Sequence, residues 1–89
     1  MRVHFIGIGG IGLSALARFL NFDGHSVSGS DMKSSSITKE LEKEGIKVSC
    51  PQEAKNISDD LDLVIYSAAV TDENPVLQVL TENLLQQQY

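Results

Sequence analysis

Four glycines stand within six positions near the start of the chain, Gly7-Ile8-Gly9-Gly10-Ile11-Gly12, and Ser14 follows two places on. The spacing Gly7-x-Gly9-x-x-Gly12 suits a turn that wraps an anion. The first glycine permits a sharp exit from a strand, the second lets backbone approach a phosphate, and the third lets the next helix pack against the strand. Exposed N–H groups in the first turn of that helix, with its dipole, favour negative charge there. Ser14 falls in that turn, where its hydroxyl is placed to add a hydrogen bond. Asp31 lies nineteen positions beyond Gly12. An acidic residue at about this distance holds a ribose hydroxyl in dinucleotide-binding folds. A rival reading makes Asp31 the cap of the serine-rich turn that follows it. On spacing alone the ligand carries a diphosphate and a ribose, and NAD is the default candidate.

Such a turn works only between a strand and a helix. Residues 2–8 are apolar, β-branched or aromatic in the main, and predict a buried strand. Leu13, Leu16, Ala17 and Leu20 recur at i, i+3, i+4 and i+7, one apolar helix face, and Gly24 lies just past its end. Residues 25–30 predict a second strand, weakened by Ser26 and Ser28 alternating with Val27 and Gly29. Ser34, Ser35 and Ser36 offer hydroxyls to cap a second helix, which carries Ile37 and Leu41 and stops at Gly45. Residues 46–50 predict a third strand ended by Pro51, and residues 52–60 a polar connection. Leu63-Val64-Ile65-Tyr66 marks a fourth strand, and Asn74-Pro75 starts a helix with Leu77, Leu80 and Leu84 as its stripe. Strands alternating with helices predict an α/β, Rossmann-like three-layer domain with a mostly parallel sheet. This is half of a doubly wound fold, most simply ordered 3-2-1-4.

Composition narrows the partners. The 89 residues make one small domain, and a net charge of -5 without a basic stripe argues against nucleic acid. The single Cys50 excludes an intramolecular disulfide and a four-cysteine zinc site. Glycines, Ser14 and Arg18 interrupt the apolar start, so neither a signal peptide nor a membrane span is expected, and the chain reads as cytoplasmic. His4, inside the first strand, reads as a histidine satisfied by a neighbouring backbone group more readily than as a ligand contact. Cys50 has no basic neighbour to lower its pKa and reads as structural. His25 suits the last carbonyls of the first helix, and the alternating charges from Lys39 to Lys47 suit a solvated helix face. Asp59, Asp60 and Asp62 lack the spacing of a calcium loop and read as a solvated turn.

The string from His4 to Ser14 resembles the N-terminal signature of the UDP-N-acetylmuramate–L-alanine ligase family. Val27-Ser28-Gly29-Ser30-Asp31 and Tyr66-Ser67-Ala68-Ala69-Val70, followed by Asn74-Pro75, fit the same family, and the resemblance covers about residues 2–77. The doublet Gly9-Gly10 and the pair Leu13-Ser14 set it apart from a typical NAD domain. The resemblance implies an N-terminal Mur ligase domain that binds the UDP part of UDP-N-acetylmuramate. Gly9, Gly10, Ile11, Gly12, Leu13 and Ser14 would meet the diphosphate, and Asp31, Ser67, Ala68 and Ala69 would line the uridine side. It further implies a parent enzyme that uses ATP and magnesium to phosphorylate the muramyl carboxylate, after which the amine of alanine displaces phosphate.

That chemistry requires a GxxGK[ST] loop, and no glycine in this chain is followed by lysine and Ser or Thr. The expectation is therefore a single UDP-sugar-binding domain over residues 1–89, cut from a ligase with central ATP-binding and C-terminal domains. It should bind without catalysing, with no catalytic residue, metal ligand or cofactor of its own. Residues 78–89, ending Gln86-Gln87-Gln88-Tyr89, depart from the family and read as an atypical tail.

Overall fold

In the computed structural model, which describes residues 1–50 and 60–66, the central strand is β1 (Arg2–Ile6). It is followed by α1 (Ile11–Phe22), β2 (Ser26–Ser30), α2 (Ser36–Lys43), β3 (Lys47–Ser49) and β4 (Leu63–Tyr66). The sheet runs β3-β2-β1-β4, and every pairing is parallel. The expected order and strand direction are thus observed. The helix expected after Asn74-Pro75, residues 51–59 and the tail 78–89 lie outside the described residues.

Side-chain alternation divides the sheet into two faces. Val3 and Phe5 of β1 align with Val27 and Gly29 of β2, Val48 of β3 and Ile65 of β4. This face meets Ala17 of α1 and Leu41 of α2, with Ile8 and Ile46 closing the same core. The other face carries His4 and Ile6 beside Ser28 and Ser30. Ile6 is fully buried, as are Val3 and Phe5, so β1 is covered on both sides, as a central parallel strand requires.

Two expectations are corrected by the packing. The first strand stops at Ile6, yet Ile8 is fully buried because it folds over Gly29. A Cβ at Gly29 would stand 2.3 Å from Ile8 Cδ1, so the residue that seemed to weaken β2 makes room for this contact. On α1, Leu13, Ala17 and Leu20 face the core as expected, but Leu16 is 39% exposed, and Ser14 is buried in its stead. Phe19 and Phe22 also point outward. The helix is apolar on nearly every side, so its sequence leaves the buried face ambiguous by one position.

α2 begins with a reciprocal cap. Ser35 Oγ accepts from the Thr38 amide at 3.2 Å, and Thr38 Oγ1 accepts from the Ser35 amide at 2.8 Å. Ser35, and not Asp31, is thus the N-cap of α2. Across the helix pair, Arg18 donates to Glu44 at 2.9 Å and Glu40 at 3.0 Å. At the base of β1, Asp60 pairs with the Arg2 side chain and Asp62 accepts from the Arg2 amide at 2.8 Å. These two aspartates bind the strand, and no group of three metal-ligating side chains occurs among the described residues.

Candidate functional site

The parallel sheet sends the exits of β1, β2 and β3 to one edge, so the glycine turn, Asp31 and Cys50 meet there. In open α/β sheets this carboxyl edge is where ligands bind. Gly7 takes φ +81°, a conformation that L side chains rarely adopt, and its carbonyl accepts from the Gly10 amide at 3.0 Å. The Ser30 carbonyl accepts from both the Gly7 amide (2.8 Å) and the Ile8 amide (3.1 Å). The turn thus hangs from the last residue of β2.

Gly10 is the N-cap of α1, and among the described residues no side chain caps that end. The Ser14 amide donates to the Gly10 carbonyl at 2.8 Å as the first bond of the helical ladder. The amides of Ile11, Gly12 and Leu13 precede that ladder and have no partner within it. No acidic side chain occupies the first turn, Ile11 is 85% exposed, and among the described residues a Cβ at Gly12 would meet nothing within 4 Å. An end of this kind can receive an oxyanion on backbone N–H groups aided by the helix dipole. The described residues thus show no close packing at Gly12, where the third glycine was expected to provide it. Close packing occurs at Gly29 instead.

Asp31 is drawn onto the turn. Its Oδ2 accepts from the Gly9 amide at 2.8 Å, and its Oδ1 accepts from the Lys33 amide at 3.3 Å. A Cβ at Gly9 would lie 2.7 Å from Asp31 Oδ2 and 3.2 Å from Thr38 Cγ2. Gly9 is small here so that a carboxylate and the start of α2 can close upon it. Ser14, buried to 5% exposure, donates its hydroxyl to the Ile11 carbonyl at 3.0 Å. Of the residues expected at the diphosphate, Gly9 to Ser14 therefore cluster at one turn, but Gly9 and Ser14 spend a donor within the protein. Asp31 stands beside them. Ser67, Ala68 and Ala69 lie outside the described residues.

His4 is satisfied, though by side chains where a backbone group was expected. Its Nδ1 lies 2.9 Å from Ser28 Oγ and its Nε2 3.3 Å from Ser30 Oγ. Burial lowers its pKa to about 4, so the ring is neutral at physiological pH. The exposed Cys50 has its thiol pushed up, by partial burial first and then by the charges of Asp31 and Glu42. This agrees with an unreactive thiol. Sequence reasoning missed Ser30 and Thr38 as supports of the turn. The spacing Ser35-x-x-Thr38 is the available signal for the second, and only strand register reveals the first.

Residues 2–88 match the Mur ligase family, catalytic domain. UDP-N-acetylmuramate–L-alanine ligase of Campylobacter jejuni strain 81-176 is 62% identical over 81 residues, which span 91% of this chain and 19% of that protein. The enzyme of the same name from Lachnospira eligens is 51% identical over 82 residues, 92% of this chain and 18% of the relative. Among solved structures, UDP-N-acetylmuramate-alanine ligase MurC from Thermotoga maritima superposes with a TM-score of 0.84 at 42% identity, covering 92% of this chain and 19% of that one. The murein peptide ligase of Psychrobacter arcticus gives a TM-score of 0.81 at 25% identity, over 92% and 17% of the two chains. The chain thus spans about a fifth of the length of the relatives it matches. With its parallel sheet, its glycine turn and a match over nearly its whole length, the chain belongs to the Mur ligase family.

Proposed function

We propose that the chain binds the UDP moiety of UDP-N-acetylmuramate, as the N-terminal domain of an ATP-dependent ligase that joins L-alanine to the muramyl carboxylate in peptidoglycan precursor synthesis. The observation that carries this reading is the bare start of α1, capped by Gly10 and without an acidic side chain. It occurs in a chain whose relatives are named for that substrate and amino acid. The diphosphate lies against the amides of Ile11, Gly12 and Leu13, with Gly9, Gly10 and Ser14 forming the wall of the turn. Asp31, held by the Gly9 and Lys33 amides, keeps lone pairs that accept from a hydroxyl or N–H on the uridine side. Ser67, Ala68 and Ala69, directly after β4, complete that side in this proposal.

ATP and magnesium belong to the rest of the parent enzyme in this reading. The chain contains no GxxGK[ST] loop, and its described residues offer no metal-ligating trio. No helix among the described residues is long and apolar enough to cross a membrane, which accords with a cytoplasmic enzyme acting on a soluble nucleotide sugar. The Asp31 position also suits the ribose of a dinucleotide, so NADH is the necessary competitor. Calorimetric titration with UDP-N-acetylmuramate and, separately, with NADH decides between them. Saturable heat with the UDP-sugar alone is expected. Binding of NADH alone overturns the proposal.

A further inference from the structure

His4 and Ser30 form a buried pair that the binding reading does not use directly. His4 is 3% exposed and Ser30 2% exposed, and the imidazole lies between two hydroxyls of β2. Ser28 is the residue aligned with His4 in the strand register, whereas Ser30 lies one pleat further toward the carboxyl edge. A neutral imidazole has one N–H and one lone pair, and serine hydroxyls both donate and accept, so either ring tautomer satisfies both contacts. Beyond Ser30 the network continues through the backbone. The Ser30 carbonyl is the shared acceptor of the Gly7 and Ile8 amides, the two residues through which the chain leaves β1 for α1. His4 and the turn it precedes are thus connected twice: along β1, and sideways through Ser30.

We propose that His4 is a positioning residue for the glycine turn, acting through Ser30 to fix where the Gly7 and Ile8 amides, and hence the bare start of α1, are held. The proposal rests on the reading of that helix start as the diphosphate site, but its structural part stands without any ligand. A histidine kept only to fill the interior would be served equally by a contact to Ser28 or to Ser30. A positioning histidine requires the Ser30 contact. The side-chain nitrogen or oxygen of asparagine reaches the place of Nδ1, beside Ser28, and that of glutamine reaches the place of Nε2, beside Ser30.

The test compares His4→Asn, His4→Gln and Ser30→Ala in the 89-residue chain. Urea midpoints, backbone amide spectra and affinity for UDP-N-acetylmuramate are measured for each. His4→Asn and Ser30→Ala are expected to shift the Gly7 and Ile8 amide resonances and to weaken binding by about tenfold, the scale of one buried hydrogen bond. His4→Gln is expected to leave both amides in place and binding within about twofold of the original. Equal loss of affinity in the two His4 variants, tracking their urea midpoints, overturns the proposal. So do unmoved Gly7 and Ile8 amides in Ser30→Ala, a variant that keeps the histidine and the carbonyl. Should the unaltered chain bind no UDP-sugar, the binding reading fails by itself, and the amide shifts still decide the positioning role.

Discussion

The two helices of the described fold start in opposite ways, although both follow strands of one parallel sheet and open on the same edge. α2 closes its own end: Ser35 and Thr38 each bond the other's amide, and the orphan donors of that turn are partly spent inside the protein. α1 has a glycine at its cap, no side chain folded back and an exposed first turn. A cap such as that of Ser35 typically contributes about 1 kcal/mol, so α1 forgoes stability that α2 keeps. What α1 retains is a set of first-turn N–H groups that the helical ladder does not use and that no described side chain caps. On hydrogen-bond accounting, the difference favours the start of α1 over that of α2 as the anion site proposed above.

Closing the open end is the strongest way to break this comparison. Gly10 has φ -66° and ψ 147°, a cap conformation open to any residue, and among the described residues a Cβ there would approach only the Gly7 carbonyl, at 3.4 Å. Gly10→Asp should therefore fold, with stability equal to or a few tenths of a kcal/mol above the original. Its carboxylate would take the first-turn amides and repel a diphosphate, so UDP-N-acetylmuramate affinity should fall by about a hundredfold or more. Calorimetry and a urea titration of the same sample report both numbers.

Acid probes the strand that feeds the open end, since β1 carries the buried His4. Its folded pKa of about 4 lies below the ordinary 6.5, so the unfolded chain takes up a proton that the native state refuses. This contribution is complete above pH 6.5 and is lost as pH falls through the window down to about 4. Between pH 7 and pH 5 the unfolding free energy should drop by about 2 kcal/mol, and His4→Gln should remove most of that slope. Chemical denaturation at stepped pH measures it.

The smallest expected effect sharpens the other side of the comparison. Ser35→Ala opens the closed end and should cost about 1 kcal/mol of stability. Affinity for the UDP-sugar should stay within about threefold, since the α2 amides are not the ligand's donors. A thermal melt beside a titration checks both.

Much of this fold is legible in the sequence. Apolar strands separated by helices led to the parallel sheet and its order, because right-handed crossovers leave few alternatives. Gly7 and the helix start after Gly10 followed from spacing. Other features depend on which residues meet across the fold. Gly29 needs its smallness because Ile8 folds over it, a contact between the glycine turn and β2. Asp31 was readable as an acceptor near the turn, but not as the partner of the Gly9 amide. His4 looked like a histidine awaiting a backbone partner until the β1–β2 register placed Ser28 and Ser30 beside it. Leu16 and Ser14 exchanged places because α1 has apolar residues on both faces.

The central claim is that the bare start of α1 holds the diphosphate and the capped start of α2 does not. Mapping backbone amide shifts during titration with UDP-N-acetylmuramate tests it directly. The account predicts the largest shifts at Ile11, Gly12 and Leu13, with Ser36, Ile37 and Thr38 moving far less. Saturable binding whose largest shifts fall on α2, or leave residues 11–13 unmoved, would contradict it.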